Sequence, residues 1–178
     1  LDIKFNKDMP DETRRESINK FGDVIAHIGG KGGIPQKIIA WLEKDVKKFP
    51  VIITNTQDTR FDSETGKLYF NINDMNENSP QEKAIEEQAI NNGLVAKDEQ
   101  APAGIRLIHE FGHMYRWAQG RLIPRDKKSS NGIPLEEIED IKEIENPTRF
   151  IFKDELEKEG YSIIRTHYNN KPINEEEK

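Results

Sequence analysis

Apolar residues recur at helical spacing through the first part of the chain. Across residues 10–28, Ile18, Phe21, Val24, Ile25 and Ile28 form one side of a stretch that is otherwise charged, which predicts an amphipathic helix. The run from Gly29 to Gly33 breaks it. That run lacks the preceding strand and the Lys-Ser/Thr ending of a phosphate-binding loop, so it reads as a connector. Residues 36–48 predict a second helix with Ile38, Ile39, Leu42 and Val46 inward. Pro50 introduces Val51 to Thr54, a short buried strand. Residues 61–72 read as a hairpin arm, a turn at Ser63 to Lys67, and an alternating strand from Leu68 to Ile72. A polar loop over 73–80 leads to a helix over 81–92, stopped by Asn91, Asn92 and Gly93.

The strongest helical pattern lies between Pro102, suited to a first turn, and Gly120, suited to a stop. Ile108, Phe111, Tyr115, Ala118 and Leu122 form a core stripe, and His109, Gly112, His113 and Arg116 form the neighbouring one. Beyond it come a polar, basic loop from Pro124 to Gly132 and an acidic helical run from Leu135 to Ile144. In that run Leu135, Ile138, Ile141 and Ile144 lie three apart. Pro147 is expected to break this run before a last helix from Thr148 to Glu159, ended by Gly160. Tyr161 to Tyr168 reads as extended, and Asn174 to Lys178 as a solvated charge run. The order predicts one α+β domain over 1–178, with residues 1–49 a helical N-terminal part and 170–178 a polar tail.

Composition narrows the function. At 178 residues the chain can bury a real core, but 34% hydrophobic and 34% charged content makes that core modest. A net charge of −6, with no basic cluster interleaved with aromatics, speaks against nucleic-acid binding. There is no cysteine, which excludes disulfides and thiolate-ligated zinc. No apolar stretch approaches the ~18 residues of a membrane span. No signal peptide is visible, and a chain that starts at Leu1 leaves room for a preceding segment.

His109, Glu110 and His113 form an H-E-x-x-H motif, which chance would supply in about one such chain in a hundred. On a helix the two imidazoles share a face and can bind one Zn²⁺, with Glu110 placed to act as general base on the metal's water. Gly112 costs about 1 kcal/mol of helix stability. Its missing side chain serves either close approach by another segment or plain helix packing. A catalytic zinc needs a third protein ligand. No third histidine follows at close spacing, and His27 and His167 are remote in sequence, so a carboxylate from the acidic run is the better candidate. Glu136, Glu137, Glu139, Asp140, Glu143 and Glu145 supply many, most of which should form a solvated face.

With these segments in place the chain resembles the short zincin-type zinc metallopeptidases found as bacterial type III secretion effectors (NleD-like) and as toxin domains. It resembles the clostridial neurotoxin light chains more distantly. The matching residues are His109 to His113, then Glu136 and Glu137 of a Glu-Glu-x-Arg motif, then Glu145-Asn146, then Arg165 and Tyr168 of an Arg-x-x-Tyr motif. Glu139 stands where the family has Arg. The resemblance spans roughly residues 50–168. It implies a zincin-like fold, with the motif helix under a small sheet whose edge can accept a substrate backbone. It assigns zinc to His109, His113 and Glu137, catalysis to Glu110, and the orientation of a ligand histidine to Glu145. Arg165 and Tyr168 would stabilise the carbonyl oxygen, which requires the extended segment to bend. The implied function is a zinc endopeptidase, secreted by a bacterium and cleaving a protein, such as a signalling protein, in host cytoplasm. The alternatives are a zincin-like binding module without turnover, or a zinc hydrolase of a small amide or of peptidoglycan.

Overall fold

Alternating burial builds a four-stranded sheet. In β2 (Pro50–Thr54) and β4 (Lys67–Asn71), Val51, Ile53, Leu68 and Phe70 are all withdrawn from solvent while their neighbours, apart from the buried Thr54, are half-buried. The computed structural model describes residues 1–44, 49–75 and 80–173. The predicted inward position of Val46 and the tail from Asn174 lie outside the described residues. The strand order is β1-β2-β4-β3, with β1 (Asp2–Phe5) parallel to β2 and β2 parallel to β4. The short strand β3 (Arg60–Asp62) runs antiparallel to β4 and forms one edge. The hairpin turn expected at Ser63 to Lys67 is present between them.

The N-terminal part is not wholly helical, because β1 precedes its two helices. Its signal, Leu1, Ile3 and Phe5 alternating with polar residues, is too short to read as a strand until β2 pairs with it. Helices α1 (Asp11–Gly29) and α2 (Gly33–Lys44) then cross from β1 to β2. They pack on the sheet and on α4 (Ala103–Ala118), the motif helix, with Phe21 and Phe70 rings 5.5 Å apart. Helix α3 (Pro80–Asn91) lies between the sheet and α4 in the sequence. The core face of α4 is broader than its predicted stripe: Ile105, Leu107 and Met114 join Ile108 and Phe111 in the fully buried set. The structure is mixed α and β, and among the described residues no helix is long and apolar enough to cross a membrane.

Two expectations about the second half fail. Pro147 does not end the acidic run. Helix α5 (Leu135–Asp140) passes through a π-helical turn (Ile141–Glu145) directly into α6 (Asn146–Ile151), and Pro147 sits in the first turn of α6. In a regular α-helix its ring would press on the carbonyl four residues back and leave that carbonyl without a donor. The wider π turn, with its i→i+5 geometry, absorbs that conflict. It also aligns Asp140 with Glu145, five residues on. The last helix, expected to be continuous from Thr148, is divided at Phe152 into α6 and α7 (Lys153–Glu159).

The second failure concerns the C-terminal segment. Only His167–Tyr168 (β5) of the expected extended stretch is a strand, and Lys171–Pro172 (β6), read as tail, pairs with it. Asn169 and Asn170, with φ of 48° and 62°, make a two-residue turn of the type hairpins favour, and asparagine tolerates that region better than most residues. The bend at Ile163-Ile164 precedes Arg165 and the turn follows Tyr168, so neither falls between the two residues for which a bend was expected.

Gly112 is where α4 meets α5 and the π turn. A Cβ there would lie 2.2 Å from Asp140 Oδ1 and 2.7 Å from Ile144 Cδ1. The two readings left open by the sequence are therefore one: the packing contact is also the approach of a carboxylate to the histidines. Gly112→Ala should lose about 1–3 kcal/mol by overpacking, despite the better helix propensity of alanine. Gly22→Ala, in α1 with nothing within 4 Å of the added Cβ, should gain up to about 1 kcal/mol. Urea unfolding of both variants checks the pair, and a stabilised Gly112→Ala would refute the packing argument.

Candidate metal centre and its cleft

One turn of α4 brings His109 and His113 onto a buried face, opposite the carboxylates of α5. His109 Nε2 lies 2.9 Å and His113 Nε2 3.2 Å from Glu137 Oε2, and the two Nε2 atoms are 3.2 Å apart. A tetrahedral zinc with bonds of ~2.0–2.1 Å would set its ligands about 3.3 Å from one another. The triangle is close to that size. Among the described residues this is the one cluster of three or more such groups able to hold a metal ion.

The far side of each ring fixes which nitrogen faces the triangle. His113 Nδ1–H donates to Glu136 Oε1 at 3.2 Å. His109 Nδ1–H donates to Glu145 Oε2 at 3.0 Å, with Asp140 Oδ2 at 2.9 Å but off line. With both Nδ1 atoms protonated, both Nε2 atoms present lone pairs to the Glu137 oxygen. Three acceptors then converge with no donor among them, an arrangement that only a cation or added protons can hold together. The chemistry of the donor set fits a borderline metal such as zinc.

Arginines balance the carboxylates. Arg116 bonds Glu136 through Nε at 2.8 Å and reaches Asp140 at 3.3 Å. Arg149, wholly buried, bonds Glu145 at 3.1 Å. Arg165 also bonds Glu145, at 3.0 Å, and Arg125 bonds the second oxygen of Glu137 at 3.0 Å. Burial alone would raise the Glu145 carboxyl, but its bond to His109 and the charges of His109, Arg165 and Arg149 outweigh that and hold it at about 2. When protons occupy the two Nε2 positions, Glu137 is likewise held far below the usual carboxylate range: desolvation would raise it, but the hydrogen bonds and charges of the two protonated rings outweigh that.

Glu110 faces the cleft beside this cluster. Its Oε2 accepts the backbone N–H of Phe61 in β3 at 2.7 Å, so the edge strand orients it. Burial, together with the nearby Glu137 charge, raises its pKa, against the opposing pull of the two histidines and the Phe61 amide. The cleft has a volume of about 590 Å³. Asp58 to Phe61 line it, together with Arg125, Arg165, Tyr168 and Asn169.

Each predicted site residue can now be placed. His109, His113 and Glu137 meet at one point, Glu145 lies behind His109, and Glu110, Arg165 and Tyr168 line the same cleft. The Arg165 guanidinium is engaged, however, by Glu145, by Glu99 at 3.3 Å and by the His167 carbonyl at 2.9 Å. Glu139 and Glu143 do not join the cluster. Glu136 and Asp140, two of the six candidate carboxylates of which most were expected on a solvated face, are buried here, and Arg149 escaped sequence reasoning. The available signal was Arg116 in the histidine stripe, because a buried arginine requires carboxylates on the helix that covers it. Comparison with protein-family models, curated proteins and solved structures finds no match to this chain.

The histidines carry a pH signature. Burial lowers the pKa of His113, but the Asp140 charge and the bonds to Glu136 and Glu137 outweigh it and raise the group from 6.5 to about 10. His109 is also raised well above 6.5, its desolvation overcome by Asp140, Glu137 and Glu145. A group raised on folding stabilises the protein fully below its unfolded pKa and loses that contribution as pH rises through the folded one. Chelator-treated protein should therefore lose stability between pH 6.5 and about 10, a window that thermal melts across that range would reveal. A flat or rising profile would show that protons do not replace a cation in the cluster.

Proposed function

We propose that the chain is a zinc-dependent endopeptidase of zincin-like architecture. The observation that carries this reading is the convergence of His109 Nε2, His113 Nε2 and Glu137 Oε2 within 3.2 Å, beside a Glu110 carboxyl held by an edge-strand amide. Zinc held by those three side chains would supply Lewis-acid polarisation of a carbonyl and a water of lowered pKa. The work of the chain is then positioning and proton transfer. Glu110, with its raised pKa, takes a proton from water and returns it to the leaving amine. The Tyr168 hydroxyl donates to the carbonyl oxygen as negative charge develops there. Arg165, its donors committed to Glu145, Glu99 and the His167 carbonyl, acts as a positioning residue for Glu145 and for β5.

The edge strand supports an extended substrate. In an antiparallel pair, alternate residues turn their N–H and C=O outward. The Phe61 N–H points out to Glu110, so its carbonyl also points away from β4, where an added strand can pair with it. An edge of this kind favours a peptide over a small amide. The family resemblance extends the proposal to a secreted bacterial effector or toxin that cleaves a signalling protein in host cytoplasm.

Elemental analysis should find one zinc per chain, removed by His109→Ala or His113→Ala. Glu137→Ala should weaken zinc binding more than Glu145→Ala, whose effect should fall within ~10–100-fold. A protein that takes up no zinc when supplied with it would end this reading.

Glu110→Gln keeps the shape of the site and removes the base. It should retain zinc and thermal stability while proteolysis falls at least ~10²-fold. Mapping new protein termini in cells expressing the chain, against a Glu110→Gln control, would identify the substrate. Equal sets of termini in both would favour a binding module over an enzyme.

A further inference from the structure

We propose that the basic pocket adjoining the cleft is an anion subsite, and that the substrate places an acidic side chain there next to the scissile bond. This rests on the peptidase reading and names its substrate class. In a chain of net charge −6, the cations Arg125, Lys128 and Lys171 surround one pocket of about 210 Å³, and among the described residues no carboxylate lines it. Among the described residues, no ion pair holds Lys128 or Lys171. The basic loop from Pro124 to Gly132 thereby acquires a role that the metal centre leaves unassigned.

The pocket is built by two ordered segments. The loop closes on itself through the bridge between Lys128 and Pro134 and through the Ser129 N–H donating to the Ile133 carbonyl at 2.8 Å. Asn131 Nδ2 donates to the Pro172 carbonyl at 2.6 Å, tying the loop to β6. On the other side the Asn169-Asn170 turn donates both backbone N–H groups to Glu99, at 2.6 and 2.9 Å. That turn sets Tyr168 and Lys171 opposite each other in the hairpin register. The backbone that carries Lys128 and Lys171 is therefore held in place before any ligand arrives, which reduces the ordering cost of binding.

The position relative to the cluster fixes what can enter. Arg125, Tyr168 and Asn169 line both the cleft and the pocket, so the two are continuous. Arg125 is the partition: it holds Glu137 Oε1 at 3.0 Å while its side chain stays 66% exposed. A peptide lying along β3 with its scissile carbonyl at the metal cluster would reach past Arg125 with a neighbouring side chain. An aspartate or glutamate there meets the ammonium groups of Lys128 and Lys171, whereas a lysine would be repelled.

The test uses the full chain, ¹⁵N-labelled, titrated with acetyl-Gly-Glu-Gly-amide, its Gln and Lys counterparts, and acetyl-Gly-Gly with a free carboxylate. The Glu peptide should shift the amides of Gly132, Ile133, Asn169 and Lys171, and the Gln and Lys peptides should not. Lys128→Glu with Lys171→Glu should weaken the Glu peptide roughly tenfold or more, while Lys128→Arg with Lys171→Arg should keep it. Equal binding of Glu and Gln peptides, shifts elsewhere, or binding of the free carboxylate alone would overturn the proposal. Because binding needs no turnover, the two readings separate. Site-specific binding without any cleavage removes the peptidase and leaves the subsite. Cleavage without enrichment of acidic residues beside the cut, and without these shifts, removes the subsite and leaves the peptidase.

Discussion

The structure depends on one contact: the bare backbone of Gly112 against Asp140 and Ile144. It lets the π turn of the acidic segment press onto α4 closely enough for Asp140 and Glu145 to reach the same nitrogen of His109, at 2.9 and 3.0 Å. The closeness has an electrostatic consequence. Glu136, Glu137, Asp140 and Glu145 are all buried around two imidazoles, and burying ions unpaired costs several kcal/mol each. The fold meets that requirement with Arg116, Arg149, Arg165 and Arg125, each drawn from a different stretch of chain. The histidine pair thus recruits the basic loop, the C-terminal hairpin and the last helices into one network.

The two ends of the network differ in kind. Behind the histidines, Arg149 and Asp140 are wholly buried and serve to fix ring orientation and tautomer. In front, Arg125 is largely exposed and Glu110 is held by a single strong contact to the Phe61 amide. A rigid rear and a more accessible front is the division expected of a site that holds its ligand-binding groups still while admitting a second molecule. The sheet contributes only its edge. Its interior strands anchor α4, and β3, three residues long, delivers one N–H to Glu110.

Legibility in the sequence follows the physical range of each interaction. Periodicity is local, so α1, α2, α3, α4 and the β3–β4 hairpin could be read with small errors at their ends. The i, i+4 pairing of His109 and His113 is equally local. Glu137 could not be distinguished from Glu136 by spacing, since adjacent helical residues differ only by a rotation that depends on how α5 docks. Family resemblance made that choice, and Glu137 does meet both Nε2 atoms while Glu136 turns behind His113. The π turn was illegible because a proline after an acidic run ordinarily signals an end, and only packing against α4 makes continuation worthwhile. The β5–β6 hairpin was missed because two-residue strands have no period to detect. Its turn, Asn169-Asn170, is held from outside by Glu99, remote in sequence.

The remaining question is why a protein of modest core should bury so much charge. Replacing buried ion pairs by well-packed apolar residues is often neutral or stabilising, so stability is a weak reason to retain the network. Orientation is a stronger one. A ring free to flip presents either nitrogen, and only when Nδ1 is committed to a carboxylate does Nε2 face Glu137 as a lone pair. The network makes that commitment twice, through Glu145 for His109 and through Glu136 for His113. The same carboxylates raise the proton affinity of both rings. They also increase their basicity toward any cation that displaces those protons. Proton binding and metal binding are thus two responses to one deficit of positive charge at the triangle. The exposed side of that triangle opens into the cleft that Glu110 and Tyr168 share.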